Sequence, residues 1–319
     1  MTECDVIKFY FCLYTMYIHS ICSINTLGTI NTHTPLPELT LVSEHLDAVE
    51  PSYAPWIPPM QLRRMSKGLR MGLTAAKSAI NDAGVAAEDL SAITVGTAYG
   101  MLRDSETFLG NMVRQNETML NPTAFIQSTH NTIAGAIALS IQCNVHNMTF
   151  VHKAQSFESA LLDADMKLKE HPAKKVVLGA VDEKNDTLEW LLKGLRQGIE
   201  IGEGASFMVM GNTKEQAIAQ LTEYSYFKSN DPKAISAKCA AILDRYAGTE
   251  VILVKNYTSS LPVLESYTIV DMSPVIGYNP TGSAMAMVYG IKLIQEHRKP
   301  VIVINSCRAY WSIFELAAV

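Results

Sequence analysis

The feature that most limits what this chain can become is an alternation of short apolar runs with amphipathic helical segments, which starts again about two thirds of the way along. The first series runs "MYIHSICSI", "SAITVGTAYG", "NMTFVH", "KKVVLGAV" and "ASFMVMG", with helical patterns at 66–84, 130–143, 156–170 and 187–195 between them. The second begins with a strand near 218–226. A helix over 232–246, the strands "EVILVKN" and "SYTIVDM", the helix "GSAMAMVYGIKLIQEH", the strand "PVIVINS" and a last strand around Ile313 follow. Strands separated by helices of this length predict an α/β fold with helices on the faces of its sheets. The elements do not form eight even pairs, so two successive α/β halves fit better than a barrel. The expected organisation is an N-terminal extension over 1–15, a first half over 16–211 and a shorter second half over 212–319.

Local signals sharpen the elements. Leu69, Leu73, Ala76 and Ile80 recur at helical spacing, with Ser66 placed to cap and Gly84 to stop the helix. Ala134, Gly135, Ala136 and Ala138 make one helix narrow enough for close backbone approach. Residues 31–59 hold six of the thirteen prolines and read as an irregular excursion.

A 319-residue chain with 48% hydrophobic residues has ample material for a core. A formal charge of −5 supplies no footprint for nucleic acid. Six scattered cysteines without a CxxC pair suit reduced thiols in a cytoplasm. The stretch at 6–24 approaches the length of a membrane span, but it carries Lys8 and His19 and follows an acidic lead. It is read as a soluble extension running into a buried strand, with no membrane span.

Several stretches in order resemble the β-ketoacyl synthase branch of the thiolase fold. They are "MSKGLRMGLTAAKSAINDAGV" before "AITVGTAYG", then "NPTAFIQSTHNTIAGAIAL", "GEGASFMVMG" and "INS" at 304–306. The resemblance implies two pseudo-symmetric α/β halves in an αβαβα sandwich and a dimer built through "NMTFVH". It implies a cysteine that takes an acyl group from an acyl carrier protein and two histidines that support decarboxylation and condensation. A cysteine at a helix N-terminus has its thiolate favoured by unpaired N–H groups and the dipole, and backbone donors there stabilise a thioester oxyanion.

At the positions that match those parts, this chain departs. Alignment of "ESALLDA" puts Ala154, or Gln155 with a one-residue shift, at the cysteine, and Phe157 where a glycine is usual. Asn256, Tyr257 and Thr258 stand where the first histidine turn belongs, and Tyr278 stands at the second. Cys307, Arg308, Ala309, Tyr310 and Trp311 replace the glycine-rich loop. This pattern is similar to the chain-length factors and ketosynthase-like subunits of aryl polyene and flexirubin-type pathways, which keep the fold, lack the cysteine and pair with an active ketosynthase. No cofactor or metal is implied.

Individual residues keep two readings each. Gln155 either plugs the vacated site or caps the helix beginning at Ser156. Ser156 and Cys307 are the candidate replacement nucleophiles if the chain is an active acyltransferase, although no histidine is predictably placed for Ser156. His152 lies in the strand, facing a cavity or the core. His130 and Asn131 either line a seam and acyl pocket or cap a helix, and Cys143, like Cys307, is either a reactive or an inert thiol. Arg63, Arg64, Lys67 and Arg70 form either a contact for an acyl carrier protein or a solvated face. Met285 and Met287 line a tunnel or fill the core. The expected partner is an active ketosynthase, in a heterodimer, or a second copy of the chain, in an acyl-binding homodimer.

Overall fold

The computed structural model describes residues 15–40, 45–118, 122–195, 200–256 and 261–319. In chain order the first half contains β1 (Met16–Asn25), β2 (Gly28–Asn31), α1 (Pro59–Leu62), α2 (Lys67–Asp82), β3 (Leu90–Gly96), α3 (Leu102–Arg114), α4 (Pro122–Gln127), α5 (Thr132–Ser140), β4 (His146–Phe150), α6 (Ser156–Glu170), β5 (Lys175–Asp182), α7 (Asp186–Leu195) and β6 (Gly204–Gly211). The second contains β7 (Ala219–Lys228), α8 (Pro232–Leu243), β8 (Ile252–Asn256), β9 (Thr268–Asp271), α9 (Ser273–Ile276), α10 (Gly282–His297), β10 (Val301–Cys307) and β11 (Tyr310–Ala317). The helices α1, α3, α4 and α9 and the strand β2 escaped the sequence reading: all but α3 are six residues or shorter, too short for a periodic signal, whereas the amphipathic pattern of α3 was overlooked.

The strand order is β4-β3-β5-β6-β1-β7-β11-β10-β8-β9, with β2 added beside β1. Numbering the main strands of each half by chain order gives 3-2-4-5-1 followed by 1-5-4-2-3, so the two halves repeat one topology as mirror-ordered neighbours. In each half the last strand, β6 or β11, runs antiparallel to its neighbours while the others pair in parallel. The halves meet where β1 pairs β7 through Met16↔Leu221, Tyr17↔Gln220 and Ile18↔Ala219.

Three cores define the layers. The central one joins α6 and α10 to strand faces from both halves, with Phe157 of α6 against Phe314 of β11 at 5.9 Å between ring centroids. One outer core covers the first half with α2 and α5, and the other covers the second half with α8. The order is therefore α, β, α, β, α. The helix α10 is buried on nearly all sides because it is apolar around its circumference and small where strands approach. A Cβ on Gly290 would meet Val303 Cγ2 at 2.9 Å. Its one buried cation, Lys292, donates to the Thr32 carbonyl at 3.2 Å and to Gln295 Oε1 at 2.7 Å.

Two local expectations are corrected. Ser66 precedes α2, but its hydroxyl points at Met101 Sδ. Glu183 takes the capping role instead, accepting from Gly68 N of α2 at 2.7 Å and from Arg103 N of α3 at 2.9 Å. A carboxylate at two helix N-termini complements both dipoles, which a neutral hydroxyl cannot do. The strand "NMTFVH" ends at Phe150, leaving Val151 and His152 beyond it, and it is half-exposed at the edge of the sheet rather than buried.

Candidate functional site

The elbow between β4 and α6 is built from its own polar side chains. Lys153 occupies the left-handed region at φ 52° and opens a single 3-10 turn through Gln155. Ser156 holds that turn closed: its Oγ donates to the Lys153 carbonyl at 2.7 Å and accepts from His152 N at 2.9 Å. The hydroxyl named above as a candidate nucleophile is thus turned onto the backbone. His152, exposed rather than inside a strand, directs Nδ1 to Ser159 Oγ at 3.2 Å and does not reach Ser156 through its ring. Gln155 stands at the N-cap position of α6 without a capping side-chain bond, and it and Ala154 are buried. The methyl group of Ala154 has no atom that can hold an acyl group. Behind the bend Phe157 packs into the central core, and a Cβ on Gly96 would meet Phe157 N at 2.6 Å, so only glycine lets β3 end against the first turn of α6.

The start of α10 gathers the remaining positions. Asn256 donates from Nδ2 to Asn305 Oδ1 at 2.5 Å, and Asn305 donates onward to Ser312 Oγ at 3.3 Å. Tyr257 and Thr258 lie outside the described residues. Tyr278 is hydrogen-bonded to Tyr99, and the Arg308 guanidinium sits 5.9 Å from the Tyr278 ring centroid. Cys307 is buried at the end of β10, where Arg308 and Ala309 form a tight hairpin turn with Arg308 at φ 61°. Trp311 continues from that turn into the outer core, stacked on Phe227.

Asp182, which the sequence reading missed, ties this region to the first half. Its buried carboxylate accepts from Thr97 Oγ1 at 2.9 Å, Ala98 N at 2.9 Å, Tyr99 N at 3.0 Å and Thr281 Oγ1 at 2.9 Å. Burial pushes its carboxyl up to about 6 even against those four donors. The signal was available in "DEKN" at 182–185, four polar residues that follow an apolar strand directly and are all buried. Glu158 is a second missed acid. It is fully buried on α6, among the described residues its oxygens have no protein hydrogen-bond partner, and Ser283 and Ser312 face it without bonding geometry. Burial raises its carboxyl as well.

The other candidates separate. His130 and Asn131 are exposed beside α5. The His130 ring lies where a Cβ on Gly100 would meet it at 2.7 Å, and Asn131 Oδ1 accepts from Thr149 Oγ1 at 3.0 Å rather than capping α5. Met285 and Met287 belong to the central core, and Cys143 lies past α5 with Sγ 3.4 Å from the Ala87 carbonyl. The basic cluster is halved, because Lys67 is ion-paired with Glu203 and Arg70 grips Glu50 at 2.5 and 2.9 Å. Arg63 and Arg64 remain exposed. A 240 Å³ cavity beside Lys67, Lys184 and Glu203 is crossed by ion pairs from Lys184 to Asp47 and Glu189. Among the described residues no helix is long and apolar enough to cross a membrane.

Comparison with known proteins agrees with this fold. Residues 41–189 match the family described as Beta-ketoacyl synthase, N-terminal domain. Among curated proteins no sequence relative matches. The AntDE:AntF assembly, a type II PKS acyl-carrier protein in complex with its ketosynthase bound to the hexaketide, superposes with a TM-score of 0.79 at 12% identity over 96% of this chain and 100% of that one. The ishigamide ketosynthase/chain length factor gives 0.78 at 15% identity over 96% and 99%. The ketosynthase ApeO in complex with its chain length factor ApeC from Xenorhabdus doucetiae gives 0.73 at 14% over 96% and 98%. Residues 41–189 thus resemble a β-ketoacyl synthase N-terminal domain, and the chain has a thiolase-like fold.

Proposed function

We propose that this chain is a ketosynthase-like subunit without condensing activity of its own, which pairs with an active β-ketoacyl synthase and shapes the acyl tunnel at their shared interface. The observation that carries the reading is the elbow: Ala154 has no nucleophilic atom, and the neighbouring Ser156 hydroxyl is committed to Lys153 and His152. Asn256 and Tyr278 in place of the two histidines fit the same reading, since neither imidazole donor is then present to stabilise an enolate. The open edge of β4, with exposed Met148 on it and exposed Leu139 on the adjoining α5, suits a partner strand. Structural neighbours that are ketosynthase/chain length factor pairs support such a partner. A pathway of aryl polyene or flexirubin type, condensing carrier-bound chains, is the setting this reading favours. Arg63 and Arg64 are then the residues left to meet an acidic carrier protein.

Co-expression with ketosynthases encoded nearby tests the reading. The expected result is a stable one-to-one complex whose product length changes when the chain is replaced. Acylation of this chain at a defined residue by an activated acyl carrier would sink it.

A further inference from the structure

Register and strand alternation fix what the buried acid of the central layer, Glu158, lies against. On β11, Phe314 and Leu316 point into the central core and Trp311 and Ile313 into an outer one, so Ser312 points inward. The same alternation turns Asn305 of β10 and Asn256 of β8 inward. Tyr226, Ser312, Asn305 and Asn256 are successive partners across β7, β11, β10 and β8, and so make one polar row on that face. The helix α6 lies over the row. Phe157 meets Phe314, two residues from Ser312, and Asp165, two turns beyond Glu158 on the same side of the helix, accepts from Tyr224 Oη at 3.1 Å. The first turn of α10 abuts the row as well, since a Cβ on Gly282 would meet Asn256 Nδ2 at 3.2 Å. Ser283, the next residue, is buried, and among the described residues its hydroxyl has no partner.

No cation offsets Glu158 here. On α6 Lys167 is paired with Glu170 and Lys169 with Asp165, and Lys292 of α10 is bonded to the Thr32 carbonyl and Gln295. The titratable groups that share the layer are Tyr224 and Tyr226 of β7, Asp182 of β5 and Cys307 of β10. Each is neutral or anionic, so none can balance a carboxylate. A fully buried carboxylate without a cation is strongly disfavoured against its acid form, and burial raises the Glu158 carboxyl accordingly.

We infer that Glu158 enters the native core as the neutral acid and makes the layer between the halves an alkaline-sensitive lock, because ionising this one side chain requires α6 to lift from the polar row. The protonated form favours the native state. Its contribution is complete below the ordinary carboxyl range and is lost as pH rises through the raised native value. The inference does not depend on the pairing proposed above, since every group in it belongs to this chain.

Infrared difference spectra of the folded full chain test it at about pH 6, where an ordinary glutamate is ionised. Wild type minus Glu158→Gln is expected to show the C=O band of a protonated carboxyl group. Carboxylate bands in its place would overturn the inference. Denaturant unfolding from about pH 5 to about pH 9 gives a second readout, because each pH unit between the unfolded and native values changes the folding constant about tenfold. Relative to wild type, the folding constants of Glu158→Gln and of Glu158→Leu, neither of which can ionise, are expected to rise at least about tenfold across that range. A ratio that stays flat or falls with pH in both variants would overturn the inference, because Glu158 would then be ionised in the native core.

Discussion

The two open edges of the sheet, β4 and β9, hold equivalent places in the two halves, yet they differ in charge, although β9 too exposes an apolar side chain, Ile269. On β4 no charged side chain stands free: His146 is held by Asp163 at 2.8 Å, and Met148 and the following Val151 are exposed. The helix α5 beside it exposes Leu139, and α4, bonded to α5 through Thr132 Oγ1 and the Ile126 carbonyl at 3.0 Å, exposes Phe125 and Ile126. On β9 the strand is four residues long and ends in Asp271, which pairs with Lys255 at 3.1 Å and is gripped by Ser273. Charges and short length are what guard an edge against unwanted pairing. Repeated topology therefore does not imply repeated use. One edge is guarded, and the other presents the apolar surface that a partner would cover.

The largest expected effect lies in what the two regions share, the central layer behind both edges. Phe157→Ala removes a fully buried ring facing Phe314 and is expected to cost about 3–5 kcal/mol, read from the denaturant midpoint; a loss below about 1 kcal/mol, typical of surface positions, would show that the layer is not packed as described.

Asp182 gives a pH test of the same layer. Its folded carboxyl lies near 6, above the 3.8 of the unfolded chain, so its protonated form favours the native state. Its contribution is full below about pH 4 and is lost as pH rises through about 6, on the order of 3 kcal/mol across that window. Asp182→Asn is expected to flatten this segment of the stability profile, and an unchanged slope would contradict the assignment.

The edges themselves differ next. Met148→Lys is expected to weaken pairing with a ketosynthase about 100-fold, roughly 3 kcal/mol, in a titration of the purified subunits. Ile269→Lys on β9 is expected to leave it within a factor of about two, less than 0.5 kcal/mol. Equal losses would erase the distinction between the edges. The smallest effect sharpens the elbow. Lys153→Gly relieves a left-handed backbone at a non-glycine residue and is expected to add up to about 1 kcal/mol, visible as a higher thermal midpoint.

How much of this was legible in the sequence follows from what each feature depends on. The strands of both halves other than β2 and the helices α2, α6, α7 and α8 follow from periodic burial, and α5 and α10 from apolar runs of helical length, which local sequence carries directly. The edge exposure of β4 was not legible, because "NMTFV" reads as a buried strand whether its neighbour is in the same chain or in a partner. The capping by Glu183, the fourfold use of Asp182 and the ion pairs that occupy Lys67 and Arg70 join residues from 20 to 136 positions apart, so no local pattern announces them. Ser156 illustrates the limit within a single turn. Its position at a helix start was clear, but only the fold shows its hydroxyl spent on the backbone of the elbow.

The most direct test of the central claim is intact-mass analysis of the chain, alone and mixed with an active ketosynthase, after exposure to an acyl-loaded carrier protein. A one-to-one complex in which the acyl mass appears only on the ketosynthase is the predicted result. An acyl adduct on this chain, with or without the partner, would contradict it.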